Sequence, residues 1–209
     1  MAGQAIGILR MPIGNLQSVW NALHELGFDP LFVDESSDYG PLSHLIMPGV
    51  GNFRAVMSHL ESRSLPARVR EFAASGRPVL GICVGMQLLA STGTEGGETP
   101  GLALIHARVD RLPNGGGLRL PHVGWSTLHI RRPHPIFEGL KQERDFYFVH
   151  SYAMRVENER DWLGETVYGE PFVSVVGSGN VVGLQFHPEK SQINGLKLLE
   201  NFARWDGRC

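Results

Sequence analysis

The chain has 209 residues, of which 42% are hydrophobic and 19% charged, and its formal net charge is −2. This size predicts one globular domain over residues 1–209, and the near-neutral charge is unlike that of a protein that binds nucleic acid or an anionic membrane. Cys83 and Cys209 are too few for a disulfide framework and fit a reducing compartment. Because the chain has neither a basic leader nor an apolar run of about 20 residues, we expect a soluble cytoplasmic protein.

The first half of the chain alternates apolar runs with helical patterns, which predicts a mostly parallel central sheet flanked by helices. Apolar residues recur at helical spacing from Leu16 to Leu26, and Gly27 ends that helix. The predicted strands are Ala5–Leu9, Pro30–Val33, Leu45–Met47 and Val79–Ile82, and further helices are predicted over Phe53–Leu60 and Leu65–Ala74.

The second half has shorter β-like runs, which follow a polar, glycine-rich loop at Glu95–Gly101. Asn114–Gly117 is typical of a hairpin turn, so we expect a small antiparallel β section in this half. A last helix is predicted over Ser191–Trp205, with its buried face formed by Ile193, Leu196, Leu199 and Phe202. The predicted strands are Ala103–Ile105, Ala107–Leu112, Leu118–Pro121, Thr127–Ile130, Phe146–Val149, Phe172–Val176 and Val181–Phe186.

A cysteine lies where the fourth predicted strand meets a helix, in the pattern Gly81-Ile82-Cys83-Val84-Gly85. In α/β hydrolases, Gly-x-Ser-x-Gly holds a nucleophile on a strained strand-to-helix turn, and the positive end of a helix dipole favours a thiolate. The alternative is that Cys83 is a small buried hydrophobe. A nucleophilic role therefore requires a base and an oxyanion site elsewhere in the chain.

A histidine and a carboxylate follow another predicted strand, in the sequence His187-Pro188-Glu189. Residues i and i+2 of extended backbone point to the same side, and Pro188 biases His187 toward that geometry. A carboxylate beside an imidazole orients it, as in a nucleophile–base–acid triad. Because sites gather at the carboxyl ends of parallel strands, we favour this triad over a strand-end histidine with a solvated glutamate.

Glycines also follow the third predicted strand, in Pro48-Gly49-Val50-Gly51-Asn52. Backbone N–H groups of Val50 and Gly51, with that of Val84, are candidates for an oxyanion site. The alternative is a plain strand-to-helix turn. The sequence has neither a zinc-binding spacing nor a Gly-x-x-x-x-Gly-Lys phosphate loop, so we expect no metal and no cofactor.

Taken together, these motifs resemble the class I (triad) glutamine amidotransferases, a family of flavodoxin-like fold. Within that family, the resemblance is greatest to the glutaminase subunits that work in histidine biosynthesis. The resemblance spans nearly the whole chain in family order. It rests on Gly14–Val19, Pro48–Phe53, Gly81–Gln87, Pro121–Trp125, Tyr147–Tyr152 and Phe186–Ser191.

The resemblance implies hydrolysis of glutamine to glutamate through a glutamyl thioester on Cys83, with Gln87, Ser151 and Tyr152 near bound glutamine. It also implies a heterodimer with a (β/α)8 synthase, which receives the ammonia and yields imidazole glycerol phosphate and an aminoimidazole carboxamide ribotide. Asn15, Trp125 and Lys190 would contact that partner. Their alternatives are a helix N-cap, core packing and a solvated lysine.

Two departures from the family pattern leave other functions open: Arg10-Met11-Pro12-Ile13 where the family usually has Asp-Tyr-Gly, and Ser126 where it has Asn. One alternative is a paralogue that supplies ammonia to a synthase aminating a nucleotide sugar or a lipopolysaccharide precursor. A second is a stand-alone cysteine γ-glutamyl hydrolase. A third is a degenerate amidotransferase fold that only binds or regulates a partner, which the intact Cys83, His187 and Glu189 disfavour.

Overall fold

A computed structural model describes residues 4–113, 117–140 and 144–208. The helices within these ranges are α1 Leu16–Glu25, α2 Phe53–Ser62, α3 Leu65–Ala74, α4 Val84–Leu88 and α5 Gln192–Arg204. The strands are β1 Ile6–Leu9, β2 Leu31–Val33, β3 His44–Gly49, β4 Val79–Cys83, β5 Ala90–Gly93, β6 Thr99–Pro100, β7 Ile105–Arg111, β8 His122–Thr127, β9 His129–Ile130, β10 Asp145–His150, β11 Tyr152–Val156, β12 Trp162–Tyr168, β13 Glu170–Ser178 and β14 Val181–Leu184.

The parallel part of the sheet has the order β2-β1-β3-β4-β14. Successive residues of β3 and β4 are buried on opposite faces, because helices cover both sides. Side chains of α1 and α5 pack in one core cluster, and those of α2 and α3 pack in the other. The predicted mostly parallel sheet flanked by helices is confirmed.

The sheet continues from β14 into antiparallel strands, in the order β13-β11-β7. β12 pairs with β13 from Glu170 to Val176, while β8 and β10 form a separate two-stranded ribbon. Among the described residues, no helix is long and apolar enough to cross a membrane.

Three strand predictions in the second half differ from the structure. Leu118–Pro121 is not a strand, because Pro121 has no N–H to donate to a ladder, and the strand begins at His122 instead. Ala103 and Leu104 precede β7, and Ala103 has a left-handed φ of +52°. Thr127–Ile130 is interrupted at Leu128, a buried residue that separates β8 from β9. Of the predicted hairpin turn Asn114–Gly117, residues 114–116 lie outside the described residues.

The buried face of α5 also differs from the prediction. Leu199 and Phe202 are buried as predicted, and Leu196 packs against the same core. Ile193, however, is 63% exposed, and Gly195 and Leu198 are buried instead. Gly195 explains the rotation, because a Cβ at this position would lie 1.8 Å from the carbonyl oxygen of Pro188. The helix therefore packs its glycine against the turn that follows His187.

Candidate active site

The site lies at the carboxyl edge of the parallel strands. Register pairs Gly49, the last residue of β3, with Cys83, the last residue of β4. On the other side of β4, Leu184 of β14 pairs with Ile82, and the chain continues from there to His187. Three sequence motifs that are far apart in the chain therefore meet around Cys83, as expected for an α/β sheet.

Cys83 occupies the predicted strained turn between strand and helix. Its backbone has φ +54° and ψ −111°, a conformation that non-glycine residues rarely adopt, and it immediately precedes α4. The residue is 5% exposed. A strained backbone at a buried strand-to-helix junction is the geometry that a nucleophile elbow has.

The two flanking glycines are required by close backbone packing. A Cβ on Gly85 would lie 1.8 Å from the carbonyl oxygen of Met47 in β3, and a Cβ on Gly81 would lie 2.5 Å from the carbonyl oxygen of Gly85. Helix α4 therefore approaches β3 and β4 more closely than any side chain would allow. This approach places Cys83 at the start of the helix.

His187 and Glu189 form a buried pair. His187 Nδ1 lies 2.8 Å from Glu189 Oε1, and each side chain is 2% exposed. The backbone N–H of His187 donates to the carbonyl of Tyr147 at 2.9 Å, and the Ser191 hydroxyl donates to the His187 carbonyl at 2.6 Å. These two bonds fix the backbone of His187, while Glu189 holds its ring. The motif itself gives no sign of the role of Ser191.

The charge state of His187 is set by its two neighbours. Burial lowers the pKa of His187, but interactions with Cys83 and Glu189 outweigh burial and raise this pKa to about 10. Its Nε2 is buried and makes no hydrogen bond to the described residues. The imidazolium therefore donates one N–H to Glu189 and keeps its second proton on Nε2, near the Cys83 sulfur.

A cavity of about 160 Å³ opens beside Cys83. The six residues predicted for oxyanion and glutamine binding all line it, and so do three that the sequence analysis did not single out: Glu95, Val149 and His150. The predicted residues are Val50, Gly51, Val84, Gln87, Ser151 and Tyr152. Residues 149–152, where β10 connects to β11, form one wall of the cavity, and the carbonyl oxygen of Val149 lies 3.8 Å from Cys83 Sγ.

The backbone amides at the cavity differ in their availability. The N–H of Val50 donates to the carbonyl of Ile13 at 3.3 Å, so it does not face the cavity as a free donor. Val84 is the first residue of α4, where an N–H has no carbonyl partner within the helix. Gly51 has φ +122°, which glycine adopts without strain. In this conformation the N–H of Val84 is available to donate to an oxyanion, whereas the N–H of Val50 is not.

Glu95 brings a carboxylate to the cavity from the glycine-rich loop. Its Oε2 accepts a hydrogen bond from the backbone N–H of Phe53 at 2.9 Å, which ties the loop to the start of α2. Burial raises the pKa of Glu95, and this hydrogen bond partly offsets the rise. A negative group at this wall suits the ammonium of an amino-acid substrate.

Two buried histidines link the cavity wall to β8. His150 Nδ1 lies 2.9 Å from the carbonyl of Tyr152, His122 Nδ1 lies 3.1 Å from His150 Nε2, and Ser126 Oγ lies 2.9 Å from His122 Nε2. Since a carbonyl only accepts, His150 carries its proton on Nδ1, His122 then donates to His150, and Ser126 donates to His122. Burial lowers the pKa of His122 to about 4 and that of His150 to about 3.

This neutral pair predicts acid sensitivity of the fold. Since both pKa values lie below the ordinary value of 6.5, the unfolded chain binds more protons, and stability falls as pH drops below 6.5. Between pH 7 and pH 5 we expect a loss of about 2 kcal/mol for each histidine. Urea unfolding across this range measures the loss, and the double variant His122→Gln/His150→Gln should give a flatter profile. A profile of unchanged slope would contradict the assignment.

The three residues predicted at a partner interface are exposed. Trp125 is 48% exposed and contacts the ring of Tyr147 edge-on at 6.0 Å, and the ammonium of Lys190 lies 5.9 Å from the centre of the same ring. Asn15 precedes α1 and its side chain makes no capping hydrogen bond. Core packing of Trp125 is therefore wrong, whereas Asn15 does occupy the N-cap position of α1, without a side-chain capping hydrogen bond.

Within residues 4–113, 117–140 and 144–208, no group of three or more His, Cys, Asp or Glu side chains is placed to hold a metal ion.

Comparisons with known proteins agree with this geometry. A family model described as glutamine amidotransferase class-I matches residues 14–205. The imidazole glycerol phosphate synthase subunit HisH of Symbiobacterium thermophilum is 47% identical over 95% of this chain and 93% of that protein. The HisH subunit of Aquifex aeolicus is 46% identical over 92% of each chain. A crystal structure of a glutamine amidotransferase superposes with a TM-score of 0.73 at 25% identity, covering 95% of this chain and 98% of that one.

Proposed function

The chain belongs to the class-I glutamine amidotransferase family, and we propose from this premise that it is the glutaminase subunit of imidazole glycerol phosphate synthase. The observation that carries the proposal is the strained Cys83 beside the buried His187–Glu189 pair, at the mouth of a cavity of amino-acid size. The HisH names of the relatives supply the pathway. The match over residues 14–205 supports a single amidotransferase domain over residues 1–209.

The first chemical step is attack of the Cys83 thiolate on the side-chain amide carbon of glutamine. A C–S bond forms, the carbonyl oxygen takes up the charge, and the C–N bond then breaks. The raised pKa of His187 means that its ring is protonated at neutral pH, so it can give a proton to the departing ammonia. Glu189 stabilises the ring by accepting from Nδ1.

The second step is hydrolysis of the thioester. After it has given up its proton, His187 takes one from water, the water oxygen bonds to the glutamyl carbon, and the C–S bond breaks to release glutamate. Val84 and Gly51 provide the amides nearest to the developing oxyanion. Participation of the Val50 amide requires its hydrogen bond to Ile13 to break first, a conformational step of the kind that gates many enzymes.

Glutamine is held by the remaining cavity residues. The Glu95 carboxylate pairs with the substrate ammonium, and the Gln87 side chain together with Ser151 and Tyr152 provides hydrogen bonds to the amino-acid end. We place the enzyme in the cytoplasm, where the Cys83 thiol remains reduced.

The partner is a (β/α)8 synthase subunit of the HisF type in a heterodimer. The exposed side chains of Asn15, Trp125 and Lys190 form the contact surface, which also includes the exposed Val123 of β8. Ammonia passes to the synthase within the complex, because ammonia released to water at neutral pH is protonated and no longer nucleophilic. The complex yields imidazole glycerol phosphate and aminoimidazole carboxamide ribotide.

Partner dependence is the experiment that tests this function. We expect the purified chain to release glutamate from glutamine slowly. With the barrel synthase and its nucleotide ligand, the rate should rise at least 10²-fold, which corresponds to an activation barrier lowered by about 2.7 kcal/mol. The occupied Val50 amide is the physical reason for low activity alone. Glutamate release is measured with the chain alone, with the synthase, and with the liganded synthase.

The outcomes separate the alternatives. Full activity of the chain alone would favour a stand-alone γ-glutamyl hydrolase. Activation only by a different synthase of the same cell would favour a paralogue that aminates a nucleotide sugar or a lipopolysaccharide precursor. Partner binding without turnover under any condition would favour a non-catalytic subunit. The departures at Arg10 and Ser126 do not touch the triad: the Arg10 guanidinium lies 5.0 Å from the centre of the Phe32 ring, and Ser126 bonds His122.

A further inference from the structure

A buried glutamine that the mechanism above does not use lies directly beside the nucleophile. Gln185 follows β14, is 0% exposed, and its backbone N–H donates to the carbonyl of Ser174 at 2.9 Å. Its side-chain Nε2 lies 3.9 Å from Cys83 Sγ, and its Oε1 accepts from Gln87 Nε2 at 3.1 Å. One carboxamide therefore contacts both the reacting sulfur and a residue of the glutamine cavity.

The orientation of both carboxamides follows from one carbonyl group. Gln87 lies 3.0 Å from the carbonyl oxygen of Tyr152, which can only accept, so its nitrogen must face that oxygen. The second hydrogen of the same nitrogen then points at Gln185, which must present its oxygen. The nitrogen of Gln185 is consequently turned toward Cys83. The assignment of donor and acceptor atoms thus has one consistent solution.

This arrangement also decides what Gln87 offers to the cavity. Both of its N–H groups are used on Tyr152 and Gln185. Its Oε1 makes no further hydrogen bond among the described residues, and Gln87 lines the cavity. A bare carbonyl oxygen accepts from a substrate N–H, such as the ammonium of glutamine.

We propose that Gln185 is a positioning residue of the glutaminase site, which donates a hydrogen bond to the Cys83 sulfur and holds the Gln87 carboxamide with its oxygen toward glutamine. The inference rests on the proposed function for its effect on turnover. Its contact with sulfur is independent of that function. Hydrogen bonds to a thiolate stabilise the charged, nucleophilic form, and a buried amide that lost its partners would be costly to keep.

The test uses Gln185→Met, which keeps the length of the side chain and removes both hydrogen bonds. In a Cys209→Ser background Cys83 is the only thiol, so alkylation by iodoacetamide without glutamine reports on the sulfur alone. We expect alkylation at pH 7 to be about 10-fold slower and KM for glutamine to be about 10-fold higher. Gln87→Met should raise KM to a similar extent but leave the alkylation rate within about twofold, because Gln185 still faces the sulfur.

The double variant Gln87→Met/Gln185→Met gives the sharpest result. If Gln185 acts on glutamine binding through Gln87, the KM of the double variant should equal that of Gln87→Met alone. Ser174→Ala is the matched control, since its hydroxyl is equally buried, makes no hydrogen bond to the described residues, and should leave both measurements unchanged.

Two results would overturn the inference: an unchanged alkylation rate in Gln185→Met, or fully additive effects on KM. Circular dichroism and thermal melting check the fold, and Gln185→Asn, which withdraws the amide by one methylene, replaces Gln185→Met if that variant does not fold. Failure of the proposed function is measured separately, on the unaltered chain, whose glutamate release would then not increase when the liganded synthase is added.

Discussion

Cys83→Ala is expected to reduce glutamine hydrolysis by a factor on the order of 10⁴ or more, because Cys83 is the only cysteine among the described residues and lines the cavity. Cys83→Ser should be nearly as inactive, since a hydroxyl is a far weaker nucleophile than a thiolate at neutral pH. Glutamate release with the liganded synthase is the measurement, because the complex gives the largest signal from which to detect a loss.

The same substitution has a second expected effect, on the titration of His187. Cys83 is one of the two groups that raise the pKa of His187, so in Cys83→Ala this pKa should fall, toward a value set by burial and Glu189. Proton NMR of the ring measures it. The melting temperature and partner binding should remain close to those of the unaltered chain. Retained hydrolysis in Cys83→Ala would show that the elbow is not the catalytic centre.

The sequence was sufficient to predict the parallel core and the elbow because the relevant signals are local. Buried parallel strands are short continuous apolar runs, and the motif of a nucleophile between two glycines is only five residues long. The likeness of His187-Pro188-Glu189 to a triad was also local, since the two side chains are separated by one proline. The structure adds that both side chains are 2% exposed and 2.8 Å apart.

The antiparallel strands β11 and β12 were not predicted, since their patterns are weak in isolation. Trp162–Tyr168 has a glycine and polar residues within a run that is stabilised by pairing with β13, with a bulge near Gly164. Such strands depend on partners that are distant in sequence, so local propensity does not identify them. The rotation of α5 likewise depends on the contact between Gly195 and Pro188.

The parts of the site that the sequence did not reveal are those whose role is created by the fold. Gln185 lies two residues before His187, yet its importance appears only when its contacts with Cys83 and Gln87 are seen. His150 belongs to no catalytic motif, and Glu95 is one residue of a polar loop in the sequence. The occupied amide of Val50 is a conformational fact, which no motif encodes.

Gly85→Ala is expected to be one of the most damaging single-methyl changes among the described glycines. Its new Cβ would be 1.8 Å from the carbonyl oxygen of Met47, and since both are backbone atoms or fixed to the backbone, α4 must move away from β3. We expect a loss of about 3 kcal/mol in the free energy of unfolding. Because misplacing a nucleophile by about 1 Å costs about 10²-fold in rate, the folded fraction should also lose at least that much glutaminase activity.

Gly27→Ala separates this clash from the general cost of replacing a glycine. Gly27 ends α1 at φ +86°, and no atom lies within 4 Å of the position that a Cβ would take. The alanine variant should therefore lose about 1 kcal/mol of stability through backbone strain alone. It should keep full activity per folded molecule. Urea unfolding and glutamate release are measured on both variants. If Gly85→Ala were as stable and as active as Gly27→Ala, the close packing of α4 against β3 could not be what holds Cys83 in its strained conformation. Loss of activity in Gly85→Ala at nearly unchanged stability would instead assign the whole effect to the position of the sulfur.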